Sequence, residues 1–339
     1  MILCDIMINI MITSYLQIIE YTLSIIGVPL IAFVVSTLIP GIQRKIQARI
    51  QQRVGPSILS PGFWAIFKFL AKKNKEPYGI MPKLYKFMPI LSFIVIWCIL
   101  AITTIPEYLV LSNLIVLAGL MKIEELVYIV MGSLSNSIMG VRMPSIDNCK
   151  GAKKLSNIKI TLEQLGAVRA FKLISVGSFP FYIATIIPFI HNKSIYLNSI
   201  IGQNTLLTIG GLFGAVAYFI GFMIMIKDYP FSIMHTKADV IEGPTMEYSG
   251  TYRAIYLTVK ELLMITLGSL FATLYLGIYP DITNPISIIL NLLVAMVFPI
   301  LGAVVSAYTP VLTFREVYPI SLYTSIIAVI GVIFALVGF

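Results

Sequence analysis

YKFMPILSFIVIWCILAITTI, residues 85–105, contains a single charge, Lys86, near its start. A hydrocarbon layer about 30 Å thick takes about 20 apolar residues to cross as a helix. The run is apolar without interruption, where a barrel strand would alternate, and lipid offers no partner for unpaired backbone groups, so it reads as a membrane-spanning helix. The same reading along the chain gives eight spans, near 16–39, 85–105, 112–133, 171–190, 204–226, 254–278, 287–309 and 319–338. The expected fold class is all-α, a polytopic helix bundle embedded in a lipid bilayer.

Composition agrees. The 339 residues are 58% hydrophobic and 12% charged, with mean hydropathy +0.93, far from a water-soluble globule. Cys4, Cys98 and Cys149 lie far apart, and with only His191 and His235 beside them no zinc, haem or iron–sulfur motif can be assembled. The first residues, MILCDIMINIMITSYLQIIEY, have neither a basic start nor a small-residue cleavage site, which argues against a removable signal peptide. No repeat or linker divides the chain, which reads as one transmembrane domain.

The positive charges give an orientation. Residues 40–86 hold ten Lys and Arg, 134–172 hold seven, 227–253 hold three, and Arg315 lies in the last connection, accounting for 21 of the 24. All follow odd-numbered spans, and cytoplasmic loops are the ones that retain basic residues. Both termini are then expected outside, with cytoplasmic loops at 40–84, 134–170, 227–253 and 310–318. This topology accounts for the net charge of +9 without nucleic acid as a partner.

The densest basic segment is RKIQARIQQRVGPS, Arg44–Ser57. Lys45, Arg49 and Arg53 recur every four residues and would share one face of a helix that Gly55-Pro56 ends. On spacing alone this is a juxtamembrane helix resting on anionic lipid.

Its wording resembles a signature of the quinone-chamber membrane subunit of respiratory complex I, the NADH dehydrogenase subunit 1 family. It is more similar still to the counterpart in membrane-bound energy-converting [NiFe] hydrogenases, Arg-Lys-x-x-Ala-Arg-x-Gln-x-Arg-Val-Gly-Pro. Arg44, Lys45, Ala48, Arg49, Gln51, Arg53, Val54, Gly55 and Pro56 fill every fixed position. KEP at Lys75–Pro77, GSLSNS at Gly132–Ser137 and LGAVRA at Leu165–Ala170 look like further family segments, in family order. EGPTMEYSG at Glu242–Gly250 resembles the Glu-Tyr-Ser-Gly of the hydrogenase branch, and Lys260-Glu261 stands where that branch has Lys-Asp.

The resemblance implies a cofactor-free, non-redox membrane subunit of a multisubunit oxidoreductase in the cell membrane of a prokaryote. Iron–sulfur clusters and a NiFe centre would belong to partners, an iron–sulfur small subunit and a large catalytic subunit on the cytoplasmic face. Antiporter-like membrane subunits would lie alongside, and electron transfer would drive proton or sodium movement. Arg44, Lys45, Arg49, Arg53, Gly55, Pro56 and Arg169 are the implied docking residues.

The chain departs from the pattern at its acids. Gln43 stands where an acid precedes Arg-Lys, GFWAIFKFL at residues 62–70 lacks a carboxylate, and Ser178 falls where complex I has a glutamate. In KDYPFSIMHTKADVIEGP, His235 and Lys237 occupy two of three positions that are acidic in complex I, and Asp239 alone of the three keeps a carboxylate. A quinone site, the complex I alternative, is weakened accordingly; a stand-alone ion carrier or channel is a third possibility. The basic run Gly140–Gln164 is longer than the family connection, as an extra docking loop or a disordered insertion.

Ionisable residues within spans are costly and mark function by default. Lys122, Glu124 and Glu125 sit in the third span, where Lys122 and Glu125 are spaced to pair and Glu124 faces elsewhere. The bland alternative is a re-entrant segment over Tyr108–Met121 with this cluster at an interface. Together with Glu247, Lys260, Glu261 and Asp239 they are the candidate ion-coupling residues. Glu20 reads as a lateral contact and His235 as a loop residue.

Overall fold

The computed structural model describes residues 2–75, 81–108, 110–135, 162–235 and 243–338; for 2–16, 162 and 235 it describes the backbone only. Eleven α-helices lie among the described residues. They are α1 (Ile2–Ser36), α2 (Ile39–Ile50), α3 (Phe63–Leu70), α4 (Pro82–Thr104), α5 (Leu114–Leu134), α6 (Leu162–Gly177), α7 (Phe179–His191), α8 (Ile209–Ile226), α9 (Gly250–Leu276), α10 (Pro285–Tyr308) and α11 (Phe314–Val337). No strand occurs among the described residues.

Among the described residues, seven helical stretches are long and apolar enough to cross a membrane: Gln17–Ile50, Pro82–Thr104, Glu163–His191, Ile209–Ile226, Gly250–Leu276, Pro285–Tyr308 and Phe314–Val337. The remaining expected span is α5, a helix of 21 residues that carries Lys122, Glu124 and Glu125. It is one unbroken helix, started by the Asn113 side chain, which accepts from the Val116 N–H at 2.9 Å. The break near Met121 that a re-entrant segment over Tyr108–Met121 would require is absent. The protein is a multi-pass helical membrane protein.

One expectation is corrected. The basic helix α2 ends at Ile50, before Arg53, and the turn is made by Gln52 in a left-handed conformation (φ 57°). The Arg53 N–H donates back to the Ala48 carbonyl at 2.6 Å. Gly55 (φ 73°) lies so close to the helix that a Cβ there would sit 2.8 Å from Ala48 Cβ. The chain thus folds back along α2, and Arg53 leaves the face of Lys45 and Arg49. GFWAIFKFL contains the short helix α3, exposing Trp64, Phe67 and Leu70.

α9 is the central element, packed against α1, α3, α4, α8 and α10. Lipid tails are as apolar as leucine, so spanning helices associate through close packing and hydrogen bonds. α9 meets α10 at Gly268, where a Cβ would lie 2.5 Å from the Ala295 carbonyl oxygen. Nearby, buried Asn291 donates to the Ile278 carbonyl at 2.7 Å and accepts from Ser269 Oγ at 2.6 Å. In α1, Pro29 has no N–H for the Ile25 carbonyl four residues back. Trp97 of α4 supplies the donor instead, Nε1 to Ile25 O at 3.2 Å.

Candidate functional site

The family-like segments converge. Gly132 at the end of α5, Gly166 of α6 and Gly243 before α9 form a glycine junction. A Cβ on Gly132 would stand 2.7 Å from Pro244 Cβ and 2.8 Å from Ala167 Cβ, and one on Gly166 would be 2.9 Å from Gly243 Cα. The same loop seats the segment before α4. Tyr248 stacks on Tyr85 at 4.4 Å and its hydroxyl donates to the Tyr85 carbonyl at 2.8 Å. Burial, then the neighbouring Tyr85, hold the Tyr248 phenol well above its ordinary pKa, so it remains a neutral donor. Ser249 Oγ accepts from the Lys75 N–H at 3.0 Å, and Asn74 Oδ1 accepts from the Thr251 N–H at 2.6 Å. The Ser249 side chain thus ties the loop before α9 to the Lys75 backbone, and the Asn74 side chain holds the first turn of α9.

Beneath the junction lies a series of opposite charges. Lys122 Nζ is 2.6 Å from Glu125 Oε2. It also donates to Ser178 Oγ at 3.1 Å and lies 4.1 Å from the Tyr182 ring centre. Ser178 is the position where the resemblance expects a glutamate, so the carboxylate facing this point comes from α5 rather than from α7. Glu124 is buried on a different face, its Oε1 3.6 Å from Nζ of Lys227. Lys260 Nζ is 3.6 Å from Asp228 Oδ2. Glu261 is buried one residue on, with no hydrogen-bond partner for Oε2 among the described residues. The positive charges acting on it are those of Lys260 and Arg44.

Two small cavities accompany the series. One, of about 20 Å³, is lined by Ser92, Glu124, Tyr128, Lys227, Tyr256 and Lys260 among others, and has room for a single water. The other lies beside Gln43, Asp228 and Met264. Gln43 donates to the Pro299 carbonyl at 3.3 Å, which an ionised acid in its place could not do. A larger apolar cavity of about 490 Å³, bounded by Tyr21, Cys98, Tyr108 and Leu120, shares no lining residue with these two.

The structure thus gathers Lys122, Glu124, Glu125, Lys260 and Glu261 into one region. Glu247 stands apart: it precedes α9, about three turns before Lys260, on the side of Tyr85. Asp239, Lys237, Glu242 and most of the run 140–164 lie outside the described residues, as does the side chain of His235. Glu20 is exposed. Arg44, Arg49, Arg53, Gly55 and Pro56 are exposed, Lys45 and Arg169 half-buried. Among the described residues no cluster of His, Cys, Asp and Glu is fit to hold a metal. Sequence reasoning missed Lys227 and Asp228, which it had counted only as loop.

A family model described as NADH dehydrogenase matches residues 23–141 and 160–337. The chain belongs to the NADH dehydrogenase family. The unmatched residues 142–159 fall inside the basic run that exceeds the family connection. An uncharacterized protein of Methanocaldococcus jannaschii is 59% identical over 320 residues, covering 94% of this chain and 99% of its own. A second protein of that organism, a putative NADH-ubiquinone oxidoreductase, is 26% identical over 284 residues, 83% of this chain and 85% of its own. In fold, this NADH dehydrogenase family member is similar to a chain of the membrane-bound sulfane sulfur reductase, an archaeal respiratory membrane complex. The TM-score is 0.73 at 23% identity, over 93% of this chain and 99% of that one.

Proposed function

We propose that the chain is the cofactor-free membrane subunit of an energy-converting hydrogenase or a related ferredoxin-linked respiratory complex in a prokaryotic cell membrane. Its termini face outward. Its cytoplasmic loops, 40–86 with 134–170 and 227–253, seat an iron–sulfur subunit and a large catalytic subunit, which hold the redox centres. It couples their electron transfer to proton or sodium movement in adjoining antiporter-like subunits.

The observation that carries this reading is the charge series Lys122–Glu125, Glu124–Lys227, Asp228–Lys260 and Glu261, in which Glu124, Glu125, Lys227 and Glu261 are buried. A bundle needs no such series for stability, because ionisable groups within spans cost several kcal/mol, on the order of 3 even on lenient scales. Arg44, on the segment assigned to docking, is one of the two positive charges acting on Glu261. A change in a docked redox partner therefore has an electrostatic route to Glu261.

Two experiments test it. Affinity purification of the tagged chain from its native membrane is expected to bring down iron–sulfur and hydrogenase-like subunits; recovery of the chain alone refutes the assembly. In the purified complex, Glu261→Gln is expected to leave assembly intact and to lower the ions moved per electron. Unchanged translocation removes Glu261 from the route.

A further inference from the structure

Lys227 is the last residue before a turn, and its backbone is left-handed (φ 60°, ψ 32°). Helices ordinarily place glycine in that conformation, since a side chain there costs about 1–2 kcal/mol. The lysine is nevertheless 4% exposed, with its ammonium between the Glu124 carboxylate at 3.6 Å and the Tyr128 ring centre at 4.1 Å. The next residue, Asp228, faces the opposite way along the series and meets Lys260 at 3.6 Å. One dipeptide thus holds a charge of each sign, each directed at a different helix, α5 and α9.

The two contacts are loose. Both are longer than a direct hydrogen bond, whereas the Lys122–Glu125 pair closes to 2.6 Å. Glu124, Lys227 and Lys260 also line one cavity of about 20 Å³, large enough for a water that would bridge them. The four charges are therefore arranged to respond together rather than as two closed pairs.

Resting on the coupling function proposed above, we propose that Lys227-Asp228 is the bridging element of the series and that Lys227 is a positioning residue. Its ammonium fixes the Glu124 carboxylate at the cavity wall, and its neighbour Asp228 holds Lys260, which lines the same cavity and precedes Glu261. Without the ammonium, Glu124 and Lys260 no longer belong to one unit, although the helices that carry them remain packed.

The test uses the intact complex in proteoliposomes, driven by a reduced viologen dye, with subunit composition, redox turnover and ions moved per electron measured together. Lys227→Gly suits the left-handed backbone and removes only the side chain. It is expected to retain assembly and redox turnover and to lower ions per electron by about tenfold, the order of a typical coupling between two sites. Lys227→Arg restores the charge and is expected to recover most of the translocation, which a merely structural role would not require. Wild-type translocation in Lys227→Gly, or an equal loss in Lys227→Arg, overturns the inference. The pair Lys227→Met with Glu124→Gln leaves no lone charge and serves if the glycine variant does not assemble; wild-type translocation there also overturns it. A wild-type complex that moves no ion refutes the coupling function and this inference together, whereas a pumping wild type with a pumping Lys227→Gly refutes the inference alone.

Discussion

Two glycines of α5 provide a paired test of how its junction with α6 and the loop before α9 is packed. Around Gly119 nothing lies within 4 Å of the position a Cβ would take, while at Gly132 such an atom meets Pro244 Cβ at 2.7 Å, Ala167 Cβ at 2.8 Å and the Glu163 carbonyl at 2.8 Å. Replacing a helical glycine by alanine gains about 0.8–1 kcal/mol of helix propensity. At Gly119 that gain stands alone, so Gly119→Ala is expected to stabilise by up to about 1 kcal/mol. At Gly132 it is opposed by overpacking, about 1–3 kcal/mol when an extra carbon enters a filled site. None of the three opposing atoms is the free end of a flexible chain, so relief requires a shift of helix or loop. The propensity contribution is common to both substitutions, and the difference between them should be about 1–3 kcal/mol, with Gly132→Ala the less stable. Apparent unfolding midpoints of the purified protein in one detergent, followed by circular dichroism at a single scan rate, give the comparison. Equal shifts in the two variants would refute the packing argument.

Three further outcomes are expected. Asn291→Leu strands the Ile278 carbonyl and Ser269 Oγ inside the α9–α10 contact and should destabilise by about 1–3 kcal/mol in the same assay. A double-mutant cycle of Lys122→Met with Glu125→Gln should give a coupling energy near the lower end of about 0.5–3 kcal/mol, because the lysine is 48% exposed although the carboxylate is 2% exposed. Additivity would mean that the 2.6 Å pair has no energetic consequence. Trp97→Phe removes the donor to Ile25 O and should cost about 0.6–1.7 kcal/mol, whereas Trp97→Phe placed on a Pro29→Ala background should cost less, since alanine restores the helical N–H.

The spans were legible because bilayer thickness imposes a length and continuous apolarity a composition, and both are local properties of the chain. The pairing of Lys122 with Glu125, and the turning of Glu124 to another face, followed from helical spacing alone. What stayed hidden depends on distant residues. Nothing near Lys227 announces a left-handed buried lysine; its partner lies about a hundred residues earlier on α5. The end of α2 at Ile50 is set by the return of Gly55 onto Ala48, and proline punctuation pointed several residues too far. Glu247 is near Lys260 in sequence, yet about three helical turns separate them. GFWAIFKFL looked like a segment lacking its acid, and its amphipathic helix is too short for periodicity to reveal.

The meeting of Gly132, Gly166 and Gly243 also explains why this chain tolerates a long basic stretch between α5 and α6. The two helices that bracket the stretch are clamped to each other at their own backbones before and after it. Whatever is inserted leaves from and returns to the same pair of points. The helices on either side are therefore held in place by contacts of their own.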